Sequence, residues 1–453
     1  MTQAIHETRA QLVALLAEDL DFHDQNSRYG MHGFHAFPAK FPPQLPRLCI
    51  EALTPPGGVV CDPMMGSGTT VLEAQATGRR GIGCDIDPLA ALMTQVKVTD
   101  YDGAALEAAG DDLLERAARI AQKPDALLAA RRARWDSQTR QFVDYWFAPQ
   151  TQAELVALAH EINRETDPAM RRFFQATLSG IIITKSGGVS MAFDLAHTRP
   201  HRARVVLAPD GTVIHGHERA NDDSRRTKLL TKTLRSPLIE FRKRLERSLS
   251  NLPHVSAHTL PPSIHQADAQ HLPLAAETVN LIVTSPPYIS NAIDYMRAHK
   301  FSLVWLGYPI PGLGQHRKRY VGGEAVTDFR FEELPPASAR IVATISDLDA
   351  KRGQVVHRYY SEMTRVLREM HRVLKPGAAA VMVVGTSIIR GVDTHIDQCL
   401  AEIGRAAGFD VPAIGVRHLD RDRRMLPAGA RRDLDSQIQQ RMHEEYVLGF
   451  LKP

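Results

Sequence analysis

Two short stretches of this chain hold residue types at spacings that can do chemistry. The first, DPMMGSGTT from Asp62 to Thr70, ends an apolar run on an acid, turns through two glycines and opens a helix with hydroxyl residues. Asp62, Pro63, Gly66, Ser67, Gly68 and Thr69 therefore offer bare backbone at a helix N-terminus, where a ligand can lie against amide groups. A phosphate-binding loop needs G-x-x-x-x-G-K-[ST], and no lysine follows Gly68; a nicotinamide fingerprint needs a third glycine where Val71 stands. An adenosine-type ligand remains. Asp85, 19 residues beyond Gly66 at the end of the next apolar run, is spaced to accept hydrogen bonds from ribose hydroxyls, with Asp87 as its rival.

The second stretch is TSPPY, Thr284 to Tyr288. Pro286 and Pro287 stop the preceding apolar strand and stiffen the loop at the edge of a sheet where α/β folds hold ligands. Ser285 and the Ser285 and Pro286 carbonyls are acceptors, and Tyr288 is a flat aromatic face. That set suits an exocyclic amino group on a base taken out of its stack. On its own, S-P-P-Y is also a plain turn.

These residues need a scaffold, and the surrounding text supplies one. GGVVCDP, the MGSGTT turn, VLEAQATGR and RGIGCDIDP read as strand, turn, helix and strand. TVNLIVTSPPY is a further strand, YYSEMTRVLREMHRVLKPG a helix, AAAVMVVGTSI a buried strand, IDQCLAEIGRAAGF a helix and EYVLGFLKP a last strand. The alternation predicts an α/β fold with a doubly wound parallel sheet. Between the two halves, 101–265 changes character: it is helix-like at first, then basic, with thirteen Lys and Arg against six Asp and Glu from Arg199 to Arg247. The expected division is 1–100, 101–265 and 266–453. KSGGVS, from Lys185, is a glycine joint, and APDGTVIHGHERANDDSRR a loop or hairpin.

The whole chain of 453 residues is 43% apolar and 23% charged, with a formal charge of +4 and no apolar run long enough for a bilayer. Membrane insertion is excluded on that pattern, and the first residues lack the layout of an export signal. Cys49, Cys61, Cys84 and Cys399 fall in no metal or disulfide spacing, which fits a reducing cytoplasm. His32 and His35 lack ligand partners at metal spacing, so no metal is expected. Phe301 to Leu306 read as core. Arg317, Lys318 and Arg319, in HRKRY, put cations beside an aromatic, as a phosphate backbone requires.

Together these residues resemble the S-adenosylmethionine-dependent DNA amino-methyltransferases. That family's cofactor motif D-P-F-x-G-S-G-T-T and catalytic motif [DNS]-P-P-[YF] match Asp62–Thr70 and Ser285–Tyr288, with Met64 in place of phenylalanine. The resemblance covers about 1–100 and 266–453. It implies a Rossmann-like methyltransferase sheet, S-adenosylmethionine as cofactor, double-stranded DNA as partner and Ser285, Pro286, Pro287 and Tyr288 as the catalytic loop. Serine in the first position looks like the N4-cytosine subgroup; the alternatives are N6-adenine methylation, RNA methylation, or a nucleic-acid-binding module without turnover. The segment from His35 to Leu53 resembles the motif that closes over the methionine end of the cofactor, with Lys40 nearest to it. Asp268 resembles the acid that meets the adenine amino group. The motif order is similar to the α arrangement, which makes the basic insert, with Arg242, Lys243 and Arg244, the expected target-recognition region, and a cognate restriction endonuclease an expected companion. C5-cytosine chemistry needs a Pro-Cys nucleophile, and the chain has none.

Overall fold

The computed structural model describes residues 2–37, 40, 42–184, 186–195, 200–216, 231–252, 260–289, 294–419 and 444–453. Seven strands form its central sheet: β1 (Val59–Asp62), β2 (Arg80–Asp85), β3 (Ser263–Gln266), β4 (Val279–Thr284), β5 (Leu374–Gly385), β6 (Asp410–His418) and β7 (Glu444–Leu451). Their spatial order is β6-β7-β5-β4-β1-β2-β3. The pairs β1/β2, β2/β3, β1/β4 and β4/β5 are parallel. Strand β7 lies antiparallel between β5 and β6, so the expected parallel sheet takes in one antiparallel strand at this end. Apolar alternation marks EYVLGFL as a strand but carries no sign of its direction.

Strand β4 sits directly beside β1, with Val60 opposite Leu281 and Cys61 opposite Ile282. The chain order reverses here, running outward one way through β2 and β3 and the other way through β5. A doubly wound sheet opens its ligand crevice at such a reversal, outside the carboxyl ends of the strands. Both motifs leave the sheet at this edge.

Helices α1 (Thr2–Leu16), α2 (Gln44–Leu53), α3 (Thr69–Ala76) and α4 (Pro88–Lys97) belong to the first half. Five more follow in the insert: α5 (Gly103–Ala121), α6 (Asp125–Arg134), α7 (Ser137–Trp146), α8 (Pro149–Arg164) and α9 (Pro168–Ile182). After the small strands Ala192–Asp194, His201–Arg202, Val205–Leu207, Val213–His215 and Thr231–Thr233 comes α10 (Pro237–Leu249). The last part of the chain adds α11 (Met296–Leu303), α12 (Ile310–Arg317), α13 (Pro336–Leu348), α14 (Ala350–Val373) and α15 (Ile396–Ala406). Several starts are fixed by a side chain accepting from the first-turn amides: Asp87 for α4, Asp102 for α5, Asp167 for α9 and Ser236 for α10, with proline in the first turn of α4, α9 and α10.

Strand residues alternate between two apolar layers. Val60, Leu281, Val283, Val381, Val383 and Val447 pack under α1 and α2, through Leu12, Leu16, Leu45 and Ile50. Cys61, Ile282, Ala380, Met382 and Leu448 face α14 and α15, through Tyr359, Met363, Leu367 and Leu400. A third core joins α4 to the insert: Leu89, Met93 and Val96 share it with Leu113, Leu158, Phe173 and Phe174, and with Phe301 and Trp305 from the last part of the chain. The helical part of 101–265 thus shares a core with α4 and with Phe301 and Trp305, across the expected division at residue 100. Phe301, Leu303, Val304 and Trp305 are core as expected.

Helix α1 contributes through a few leucines. Leu12 is fully buried against the sheet. Leu12→Ala should cost about 2–5 kcal/mol of unfolding free energy by urea denaturation; a loss below about 1 kcal/mol would show that α1 is not part of the folded core.

Candidate active site

The site starts at the end of β1. Asp62 is buried, and its Oδ1 accepts from the Thr284 hydroxyl at 2.7 Å and the Met64 amide at 3.1 Å. One carboxylate oxygen therefore joins the first residues of both motifs. Thr70 adds a second tie, its hydroxyl donating to the Val283 carbonyl at 3.0 Å. Burial pushes the Asp62 carboxyl up to about 6.

Beyond Asp62 the chain turns through Gly66 (φ 47°) and Gly68 (φ 78°), and α3 starts with no side-chain cap at Gly68. Positive φ favours glycine at both places, and a Cβ on Gly68 would lie 2.5 Å from Thr94. Helix α4 holds the loop from beneath: Thr94 Oγ1 donates to the Gly66 carbonyl at 3.4 Å and Lys97 Nζ to the Ser67 carbonyl at 2.6 Å. Lys97 is 1% exposed, and burial holds its ammonium well below the ordinary lysine range. The sequence reading missed this lysine; its place one turn below Thr94 on a helix otherwise apolar on that side was the available signal.

Asp85, at the end of β2, uses both oxygens on backbone. Oδ2 accepts from the Gly66 amide and Oδ1 from the Asp87 amide, each at 2.8 Å. Burial, and then the nearby Asp87 charge, push it up to about 7. Asp87, the rival for the ribose, is otherwise engaged: it caps α4 through the Leu89 amide and lies 2.6 Å from His299 Nδ1. Burial raises its carboxyl, but His299 and these hydrogen bonds outweigh that and hold it below the usual range. Asp268 follows β3 on the same edge, where the Ala267 amide donates to the Asp85 carbonyl, and it accepts from the Gln270 amide at 3.0 Å.

Across the crevice, Ser285 is half-buried. Its hydroxyl lies 3.5 Å from the Tyr288 hydroxyl, which donates to Glu445 Oε1 at 2.9 Å. The loop's far side is fixed by Ser387, whose hydroxyl donates to the Ile289 carbonyl at 2.9 Å. The expected catalytic loop and the expected cofactor loop thus lie side by side.

The roof comes from the N-terminal segment and α11. The Phe37 ring stands 3.1 Å from where a Gly66 Cβ would be and stacks on Tyr295 with centroids 4.7 Å apart. His299 is 1% exposed, and its Nε2 has no hydrogen-bond partner among the described residues. Lys40 Nζ donates to the His32 carbonyl at 2.7 Å and so braces this segment. His32 lies 2.6 Å from Glu73 of α3, and His35 Nε2 3.0 Å from Ser179 of α9; both histidines are buried and structural.

The expected basic contacts divide. Arg244 donates to the Phe34 carbonyl, and burial lowers its guanidinium to about 10, so it supports the roof rather than a surface. Arg242 pairs with Asp111 at 2.8 Å and Lys243 with Glu240 at 3.5 Å, both exposed. Arg199, Arg219, Arg225, Arg226, Lys228 and Lys185 lie outside the described residues. In HRKRY, His316 Nε2 contacts the Ile86 carbonyl, which sets Arg317, Lys318 and Arg319 at the crevice rim; Arg317 pairs with Asp294, while Lys318 and Arg319 are exposed.

Comparison with known proteins adds a family likeness. A family model described as DNA methylase, for N6 and N4 methyltransferases, matches residues 18–95, which take in the roof segment, the glycine loop and β2. Type II methyltransferase M.MvaI of Kocuria varians is 25% identical over 85% of this chain and 83% of its own length. Type II methyltransferase M.BsoBI of Geobacillus stearothermophilus is 22% identical over 85% and 79%. Type II methyltransferase M.MjaII of Methanocaldococcus jannaschii reaches 37%, over only 19% of this chain and 16% of its own. The first two likenesses extend well past the motifs. Among the described residues, no helix is long and apolar enough to cross a membrane.

The raised Asp85 carboxyl has a measurable sign. From its ordinary 3.8 up to about 7, the folded chain keeps a proton that the unfolded chain has released, so this group's contribution to stability falls as pH rises through that window. In urea denaturation, the stability of Asp85→Asn relative to the unmodified chain should therefore improve between pH 5 and pH 8. A pH-independent difference would mean that Asp85 titrates normally.

Proposed function

The chain is of the DNA amino-methyltransferase family, and from that premise we propose that it transfers a methyl group from S-adenosylmethionine to the N4 amino group of cytosine in double-stranded DNA, on a base turned out of the helix. The observation that carries the reading is the 2.7 Å hydrogen bond from Thr284 to Asp62, because it brings the serine-first S-P-P-Y loop against the glycine loop.

The residues fit the cofactor. Gly66 and Gly68 leave the backbone bare under Phe37, and Asp85 and Asp268 stand on neighbouring strand ends, where ribose and adenine donors find acceptors. Asp62, Asp85 and Asp87 also make the crevice acidic: burial raises the first two, the neighbouring carboxylates raise Asp85 further, and a cationic ligand offsets that charge. When bound, S-adenosylmethionine supplies an already activated methyl group, so the protein needs alignment and exclusion of water more than a strong base.

Ser285 Oγ and the Pro286 carbonyl accept the two N–H bonds of the target amine and aim its lone pair into the crevice. Their partial negative charge stabilises the positive charge that develops on nitrogen as the N–C bond forms and the S–C bond breaks. The extra proton leaves to water. Tyr288 packs on the base, Phe37 and Tyr295 shield the cofactor side, and Lys318 and Arg319 meet phosphates at the rim. The small strands of 192–233 and the exposed side of α10, with Arg242 and Lys243, carry target recognition in this reading. Serine at position 285 favours cytosine N4 over adenine N6.

With tritiated cofactor, digested DNA should release label as N4-methylcytosine; N6-methyladenine would keep the family and overturn the base. Ser285→Ala should lower kcat on the order of 10²-fold with cofactor affinity within about twofold. An unchanged kcat would remove Ser285 from the chemistry.

A further inference from the structure

Strand β7 runs against its neighbours, so its first residues, close to the end of the chain, arrive at the carboxyl edge where the S-P-P-Y loop sits. Glu445 lies there opposite Gly385 of β5 and Arg417 of β6. It is 8% exposed. Its Oε1 accepts from the Tyr288 hydroxyl at 2.9 Å, and its Oε2 from Arg417 Nη1 at 2.5 Å. Arg417 is anchored in turn, its Nε donating to the Leu20 carbonyl at 3.0 Å. The Tyr288 hydroxyl then faces Ser285 Oγ at 3.5 Å.

We infer that Glu445, held by Arg417, is a positioning residue that sets the direction of the Tyr288 and Ser285 hydroxyls, making Ser285 a committed acceptor for the target amine. The argument is one of donor polarity. An ionised carboxylate only accepts, so the Tyr288 proton points to Glu445. The tyrosine oxygen is left with lone pairs, and the Ser285 proton turns to it. Ser285 Oγ then offers its own lone pairs to the crevice, which an amine with two N–H donors requires. Burial, and then the Glu445 charge, hold the Tyr288 phenol well above its ordinary range, so its proton stays in the chain. The 3.5 Å step is long for a hydroxyl pair, as such contacts often are before substrate closes the site. With serine reversed, a hydroxyl proton would compete for the nitrogen lone pair that must attack.

This rests on the reading of Ser285 and Tyr288 given above and assigns the polarity inside it. Glu445→Gln tests it because Arg417 can donate only to the amide oxygen, which leaves the amide NH2 facing Tyr288 and reverses the relay. In the full chain, kcat should fall about tenfold or more, while KM for DNA and cofactor affinity stay within about twofold. Tyr288→Phe, which keeps the ring and removes the hydroxyl, should give a similar fall, and adding Glu445→Gln to it should cost nothing further.

Two results overturn the inference alone: methyl transfer by Glu445→Gln within twofold of the unmodified chain, or the same fold-loss from Glu445→Gln with and without the tyrosine hydroxyl, which is what a purely structural strand residue gives. Absence of amine methylation by the unmodified chain would instead overturn the reading beneath it. Near-equal melting temperatures of the single variants confirm that the kinetic comparison is made on folded protein.

Discussion

A buried carboxylate at the end of β1, accepting the hydroxyl at the end of β4, is the interaction on which the site depends. Asp62 is 1% exposed, and ionising it there is costly, so its hydrogen bonds to Thr284 and Met64 are not optional decoration. They exist because β1 and β4 are parallel neighbours and end at the same level. The pairing brings two loops more than 200 residues apart in sequence into one crevice, at the only kind of place where a doubly wound sheet opens.

Around that contact the chain uses polar side chains as struts. Asp85 takes the Gly66 amide, Thr94 and Lys97 take the carbonyls behind it, and Lys40 and Arg244 take carbonyls of the roof segment. Each group is satisfied by backbone, which fixes the loop more tightly than side-chain pairs alone. The opposite wall follows the same logic through Ser387, Glu445 and Arg417. The S-P-P-Y loop carries two prolines and so lacks two amide donors; Glu445 of β7, braced by Arg417 of β6, and Ser387 just beyond β5 hold it instead.

The motifs were legible in the sequence because their constraints are local. Glycines at 66 and 68 announce a turn of positive φ, two prolines after an apolar run announce the end of a strand, and the acid at 85 is spaced by one helix and one strand. Glu445 was not legible, since a glutamate in a mixed stretch reads as solvated until a fold buries it, and Lys97 was marked only by its place on a helix side that is otherwise apolar. Charge counting placed Arg244 on a basic surface, whereas its neighbours put it inside, under Phe34. A core spans the expected boundary at residue 100 for a readable reason: Leu89, Met93 and Val96 form an apolar stripe on α4 that needs a cover, and the insert's helices provide it. Direction of the last strand left no mark in its pattern, yet it is what carries Glu445 to the site.

The central claim is that the glycine loop and the S-P-P-Y bend face one shared crevice, close enough for a methyl group to pass from one side to the other. A thiol introduced by Ser285→Cys is a strong nucleophile at that spot. Incubated with S-adenosylmethionine and no DNA, the peptide containing position 285 should gain one methyl group in mass, and S-adenosylhomocysteine should block the gain. An unmethylated thiol in a protein that binds the cofactor and reacts there with a general thiol reagent would contradict the account.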